Sequence, residues 1–192
     1  MILEKEIINL PNVLDLKDYY SLVNRCKTQT WRFASKSSDR MPEYHLNHTI
    51  LKVPEGQRPT PTTHYKNLDP LHSKILNMLN KKYKIFIKPY DIYYNSYKFG
   101  NEMEIHADKT TQEGLNRTII IYLTETWLPE WHGETVFYDD QRKNIIKTIV
   151  PYPNSAVIAD ARIFHTAVPI SKFCLNNRYI LVFQTEIERK DI

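Results

Sequence analysis

After about residue 84 the pattern of this chain changes from a helical period to a period of two, and the rest reads as strand after strand. Successive side chains of a strand point to opposite faces, so such alternation commits a segment to a strand with one face buried. The pattern predicts strands at Ile85–Tyr97, Glu102–Ala107, Arg117–Glu125, Thr135–Tyr138, Asn144–Ile149, Ala156–Asp160, His165–Pro169 and Arg178–Glu186. Upstream, Val13, Leu16, Tyr20 and Val23 recur at helical spacing over Val13–Lys27. Leu71, Ile75, Met78 and Leu79 do so over Pro70–Lys82, with Lys74, Lys81 and Lys82 turned away. Residues 2–11 read as a leading strand. The expected fold is mainly β with N-terminal helices, a barrel of two facing sheets with helices over one outer face.

Between the two helices, residues 31–66 lose all periodicity and collect Pro42, Pro54, Pro59 and Pro61. A long irregular stretch in a chain of this size reads as a lid or binding loop. Its aromatics Trp31, Tyr44 and Tyr65 are better suited to anchoring the loop on the core than to touching substrate. His45-x-x-His48 has metal-like spacing, but no further ligand stands nearby in the sequence, so it is not taken as a metal site.

At 192 residues the chain is long enough for one domain and short for two. Its net charge of +4 comes from 26 Lys+Arg against 22 Asp+Glu with no like-charge block, so a nucleic-acid partner is not expected. Two cysteines, Cys26 and Cys174, stand far apart and give no disulfide framework, which suits a reducing cytoplasm. No leader pattern and no long apolar run occur, so a soluble, unprocessed protein without a membrane partner is expected.

The chemistry is concentrated in His106-Ala107-Asp108, His165 and Arg178. At i and i+2 of an extended strand, His106 and Asp108 point the same way, so one strand end supplies two metal ligands. His165 arrives from another strand as the third. Two histidines and a carboxylate on one face of an octahedral metal leave positions open, the arrangement of non-haem Fe(II) oxygenases. Arg178 opens the dense β run Arg178-Tyr-Ile-Leu-Val-Phe-Gln-Thr185, where a buried charge is costly unless paired. A planar guanidinium there suits bidentate recognition of a ligand carboxylate. Strand parity puts Thr118, Ile120 and Tyr122 on one face, and Arg178, Ile180 and Val182 on one face, so two hydroxyls and a guanidinium converge on a carboxylate pocket.

With Tyr97-x-x-Gly100 ahead of the first ligand pair, Thr118-x-x-x-Tyr122-Leu123, and Gly133-Glu134-Thr135-x-Phe137 before His165 and Arg178, residues Tyr93 to Thr185 resemble the Fe(II)- and 2-oxoglutarate-dependent oxygenases. The branch is similar to prolyl 4-hydroxylases, in particular members encoded by phages and aquatic microbes. The resemblance implies a double-stranded β-helix (a jelly-roll, cupin-like barrel) over residues 85–187, with residues 1–84 as helical support and loop. It implies Fe(II) held by His106, Asp108 and His165, and 2-oxoglutarate held by Arg178 with Tyr122 and Thr118. Tyr97 and Asn95 would touch the co-substrate near the metal. Dioxygen is the oxidant, and ascorbate serves as reductant. The implied activity is hydroxylation of a C–H bond, with a prolyl residue of a peptide or protein favoured over a small molecule. The alternatives are a hydroxylase of a free amino acid or small metabolite, a nucleic-acid oxygenase, a non-catalytic cupin-like binding protein and a cupin-like isomerase.

The chain departs from the pattern at two places. Met103 stands where prolyl-hydroxylase-like sequences often carry Tyr, and His132 stands where relatives commonly carry Gly. A rival ligand pair of His132 and Glu134 lacks a second histidine at close spacing. Asp160, at a strand end, reads as structural, bonding loop amides.

Overall fold

Asp15 starts the first helix: its carboxylate accepts the Asp18 N–H at 2.8 Å, satisfying one of the donors every helix start leaves unpaired. The computed structural model describes residues 6–33, 45–53, 68–83, 85–109 and 115–189. In chain order its elements are β1 (Ile7–Leu10), α1 (Leu16–Thr28), β2 (Arg32–Phe33), β3 (Leu46–Lys52) and α2 (Pro70–Tyr83). Then come β4 (Ile85–Tyr97), β5 (Leu115–Tyr122), a 3₁₀ turn (Pro129–Trp131), β6 (Thr135–Tyr138), β7 (Ile145–Ile149), β8 (Ala156–Asp160), β9 (His165–Ala167) and β10 (Arg178–Arg189).

The strands form two antiparallel sheets, one of seven in the order β1-β8-β5-β10-β4-β3-β2 and one of three in the order β7-β6-β9. Alternation sorts the large sheet's residues between two cores. Ile92, Tyr94, Ile119, Ile121, Leu181 and Phe183 face the helices, where Leu22, Val23, Ile75, Leu76 and Leu79 cover them. Tyr97, Ile120, Tyr122, Val157, Ile180 and Val182 face the small sheet, which contributes Phe137 and Ile149. Burial of these side chains, about 1.5–3 kcal/mol each, is what holds the layers together.

Both sheets are open among the described residues, so the expected closed barrel is not formed. The reason lies at Glu102–Ala107, which is not a strand; only His106 makes a bridge, to His165. Side-chain bonds occupy carbonyls a ladder would use: the Thr166 hydroxyl of β9 donates to Met103 O at 2.7 Å, and locally His106 Nδ1 donates to Glu104 O at 2.9 Å. A second difference is β3, which lies inside the stretch expected to be irregular. It pairs along β4, but a register shift between Thr49 and Leu51 puts its two halves out of phase, which hides the alternation. Residues 34–44 and 54–67, with Tyr44, Tyr65 and the four prolines of that stretch, lie outside the described residues. Trp31 is anchored on the core as expected, stacked on Tyr179 at 5.9 Å with its indole N–H donating to Cys26 O.

Cys26 and Cys174 are both free and buried. Among the described residues no helix is long and apolar enough to cross a membrane. Asp160 ends β8 buried between Arg117 Nη1 at 3.1 Å and Arg162 Nη2 at 2.6 Å, and it accepts the Arg162 amide.

Candidate metal centre

The segment that joins β4 to β5 is tied to β9 of the small sheet by backbone bonds between His106 and His165. That bridge sets the two imidazoles side by side with ring centroids 4.5 Å apart. Asp108 completes the group: His106 Nε2 lies 3.7 Å from its Oδ1 and His165 Nε2 lies 3.7 Å from its Oδ2. The three ligand atoms fall within 4.8 Å of one another, and this is the one such cluster among the described residues.

Each imidazole is held for ligation. His106 Nδ1 donates to Glu104 O at 2.9 Å and His165 Nδ1 donates to Ile163 O at 3.0 Å. With the proton fixed on Nδ1 by a carbonyl, the Nε2 lone pair points at the cluster, the arrangement that orients metal-binding histidines. The Asp108 carboxylate accepts from Gln184 Nε2 at 3.0 Å on Oδ1 and from the Thr118 hydroxyl on Oδ2. Burial pushes its carboxyl up, but the two imidazoles, His165 foremost, and the Thr118 bond outweigh this and hold it at about 2. Burial pulls His165 down. For His106 the bond and charge of Asp108 outweigh burial and raise it. Two Nε2 ring nitrogens and one carboxylate are a donor set suited to ferrous iron.

A small, partly open cavity joins this cluster to Arg178. The Arg178 side chain is buried, with Nη2 donating to Thr135 Oγ1 at 2.8 Å while Nε and Nη1 have no partner. Its guanidinium lies 5.3 Å from the ring centres of both Tyr97 and Tyr122. Leaving such donors unpaired costs on the order of kilocalories, which an incoming carboxylate would recover. Gly133 makes this packing feasible: with φ +76°, a Cβ there would stand 2.8 Å from the Trp127 ring and 3.4 Å from Arg178 Cδ.

All eight residues singled out in the sequence line this cavity or abut it, though not all in the roles expected. His106, Asp108, Thr118, His165, Arg178, Tyr97 and Asn95 line it. Tyr122 is fully buried beside it, its hydroxyl 2.7 Å from Thr135 Oγ1. Thr118 differs: its hydroxyl serves Asp108, not the Arg178 end. Asn95 Nδ2 donates to the Tyr97 hydroxyl at 2.9 Å and its Oδ1 accepts from Asn47. Met103 lines the cavity as well.

Three contributors escaped the sequence reading. Thr135, read only as part of a motif, joins Arg178 to Tyr122. Gln184 and Tyr93 sit beside Asp108. Strand parity held the signal for both, since Gln184 shares a face with Arg178, and Tyr93 with Asn95 and Tyr97. His45 is buried and stacked on Tyr97 at 4.9 Å, and His48 Nδ1 donates to Thr30 O at 2.8 Å. Among the described residues neither joins a metal cluster, nor do His132 and Glu134.

Comparison with known proteins agrees with this geometry. A family model described as the 2OG-Fe(II) oxygenase superfamily matches residues 92–183. No curated protein matches the chain. Among solved structures, a Pseudomonas putida prolyl-4-hydroxylase is 12% identical, with 98% of this chain and 95% of that one covered at a TM-score of 0.63. A viral collagen prolyl hydroxylase from Paramecium Bursaria Chlorella virus-1, solved with 2OG, is 14% identical, with 99% of each chain covered at a TM-score of 0.56. A non-heme alpha-ketoglutarate-dependent carbocyclase of nogalamycin biosynthesis is 12% identical, with 95% and 80% covered at 0.65. These likenesses establish a shared fold. The stretch matched by the family model, residues 92–183, carries the three ligands, Arg178 and most of the strands that hold them.

Proposed function

We propose that this protein is an Fe(II)- and 2-oxoglutarate-dependent dioxygenase that hydroxylates a C–H bond, with a prolyl residue of a peptide or protein as its target. The observation that carries the reading is one cavity with two complementary ends: three converging metal ligands at one, a buried guanidinium with unpartnered donors at the other. Iron and 2-oxoglutarate bound there supply the oxidation of a C–H bond by dioxygen, with release of succinate and carbon dioxide.

The chain's own residues hold and shield. His106, Asp108 and His165 hold the metal, each oriented from outside the cluster. Arg178, with the Thr135 hydroxyl beside it, receives the far carboxylate of 2-oxoglutarate. The rings of Tyr97 and Tyr122 and the side chains of Ile120, Ile180 and Val182 keep water from the space between. No protein acid or base is needed as the reactive group. We read the two packed sheets as an opened double-stranded β-helix, and the two free cysteines suit a cytoplasmic protein.

The prolyl target is supported by the sequence motifs and by the names of two of the structural neighbours. A second reading, a free amino acid or small metabolite as substrate, is favoured by Met103 in the cavity wall at a position where prolyl-hydroxylase-like sequences often carry Tyr.

Anaerobic addition of Fe(II) with and without 2-oxoglutarate tests the reading. A visible metal-to-ligand charge-transfer band that needs both, and that is lost in His106→Ala and weakened in Arg178→Ala, is expected. Bound metal without such a band would sink it.

A further inference from the structure

Gln184 and Thr118 face each other directly across the pairing of β10 with β5, and each grips a different oxygen of Asp108. The Gln184 amide donates to Oδ1 at 3.0 Å and makes a longer contact, 3.4 Å, to the Tyr93 hydroxyl. Immediately after Gln184 the register of β10 against β4 shifts, so that Gln184 opposes Asp91 while Thr185 opposes Pro89. Proline cannot donate to a ladder, and a bulge at such a point re-aims the side chains beside it. The Asp108 side chain is almost wholly buried. An oxygen of that carboxylate left without a donor would carry a desolvation penalty.

We propose that Gln184 is a positioning residue of the metal centre, its amide fixing Asp108 Oδ1 while Thr118 fixes Oδ2, so that the carboxylate is set for ligation before metal arrives. The inference rests on the metal-centre reading above. Glutamine suits the task because its amide donates at every pH, carries no charge beside the carboxylate, and is a poor rival for a metal that prefers imidazole and carboxylate. A carboxylate tied at one oxygen can swivel about that bond; tied at both, it cannot. Supporting groups outside the ligand set matter in this way for metal affinity as well as activity.

The test is Co(II) binding to the metal-free protein, followed by titration and by the visible d–d spectrum, in wild type, Gln184→Met, Gln184→Asn, Thr118→Val and His106→Ala. Methionine keeps the length of glutamine without a donor, and asparagine keeps the amide but falls a methylene short. The expected result is a roughly ten- to hundredfold loss of Co(II) affinity in both Gln184 variants, with an altered d–d spectrum at saturation, a change that a merely structural role would not produce. Co(II) affinity and spectrum equal to wild type in Gln184→Met overturn the inference. Should Gln184→Met fail to fold, the same equality in Gln184→Asn overturns it. A wild type that binds no Co(II), or binds it equally well in His106→Ala, overturns the metal-centre reading itself, which the Gln184 comparison among binding-competent proteins leaves intact.

Discussion

His106, in the segment between β4 and β5, and His165, at the start of β9, exchange backbone hydrogen bonds, His106 N to His165 O at 3.0 Å and His165 N to His106 O at 2.8 Å. The two ligands are therefore placed mainly by main chain, each imidazole adding one bond to a carbonyl two residues away, Glu104 O and Ile163 O. His106→Ala and His165→Ala are expected to fold with unchanged far-UV circular dichroism. Loss of one of three ligands is expected to weaken metal binding by more than about a hundredfold, read by calorimetric titration with Co(II) or Ni(II).

Arg178 carries a buried charge with one hydrogen bond. Arg178→Met keeps most of the volume and removes the unpaired donors, so 2-oxoglutarate binding is expected to fall by at least about a hundredfold, the scale of losing a bidentate charged contact, while metal binding is retained. The same variant is expected to melt no lower than wild type without co-substrate, because a buried charge that lacks a partner destabilises the fold. Arg178→Lys is not expected to restore binding, since a point charge lacks the planar fork.

Gly133 and His132 adjoin in the turn before β6, both with positive φ, +76° and 56°. Gly133→Ala would press a methyl to 2.8 Å from the Trp127 ring, and a loss of about 2–3 kcal/mol is expected from strain and overpacking. His132→Gly relieves an unfavourable backbone and is expected to stabilise by up to about 1 kcal/mol. Chemical denaturation measures both.

His72, on α2, is fully buried with Nε2 2.8 Å from the Tyr94 hydroxyl, and burial lowers its pKa to about 4. A histidine depressed in the fold binds its proton more readily when unfolded. Its contribution is complete above about pH 6.5 and is lost as pH falls toward 4, a difference on the order of 3 kcal/mol. The stability of wild type is expected to drop more steeply than that of His72→Gln between pH 7 and pH 4.5, measured by urea unfolding.

Alternation and residue type in the sequence were enough to determine two helices, most of the strands, the order His106, Asp108, His165, Arg178, and the faces on which Thr118, Tyr122 and Arg178 lie. These are local properties, because the face a strand residue occupies follows from backbone sterics alone. Only the tertiary structure decided that Glu102–Ala107 forgoes a ladder, that the sheets stay open, that Thr118 and Gln184 meet on Asp108, and that Thr135 stands against Arg178. Each of these depends on which strands are neighbours, in which register, and on how one sheet packs over the other. Such relationships join residues far apart in the chain, and no local pattern encodes them.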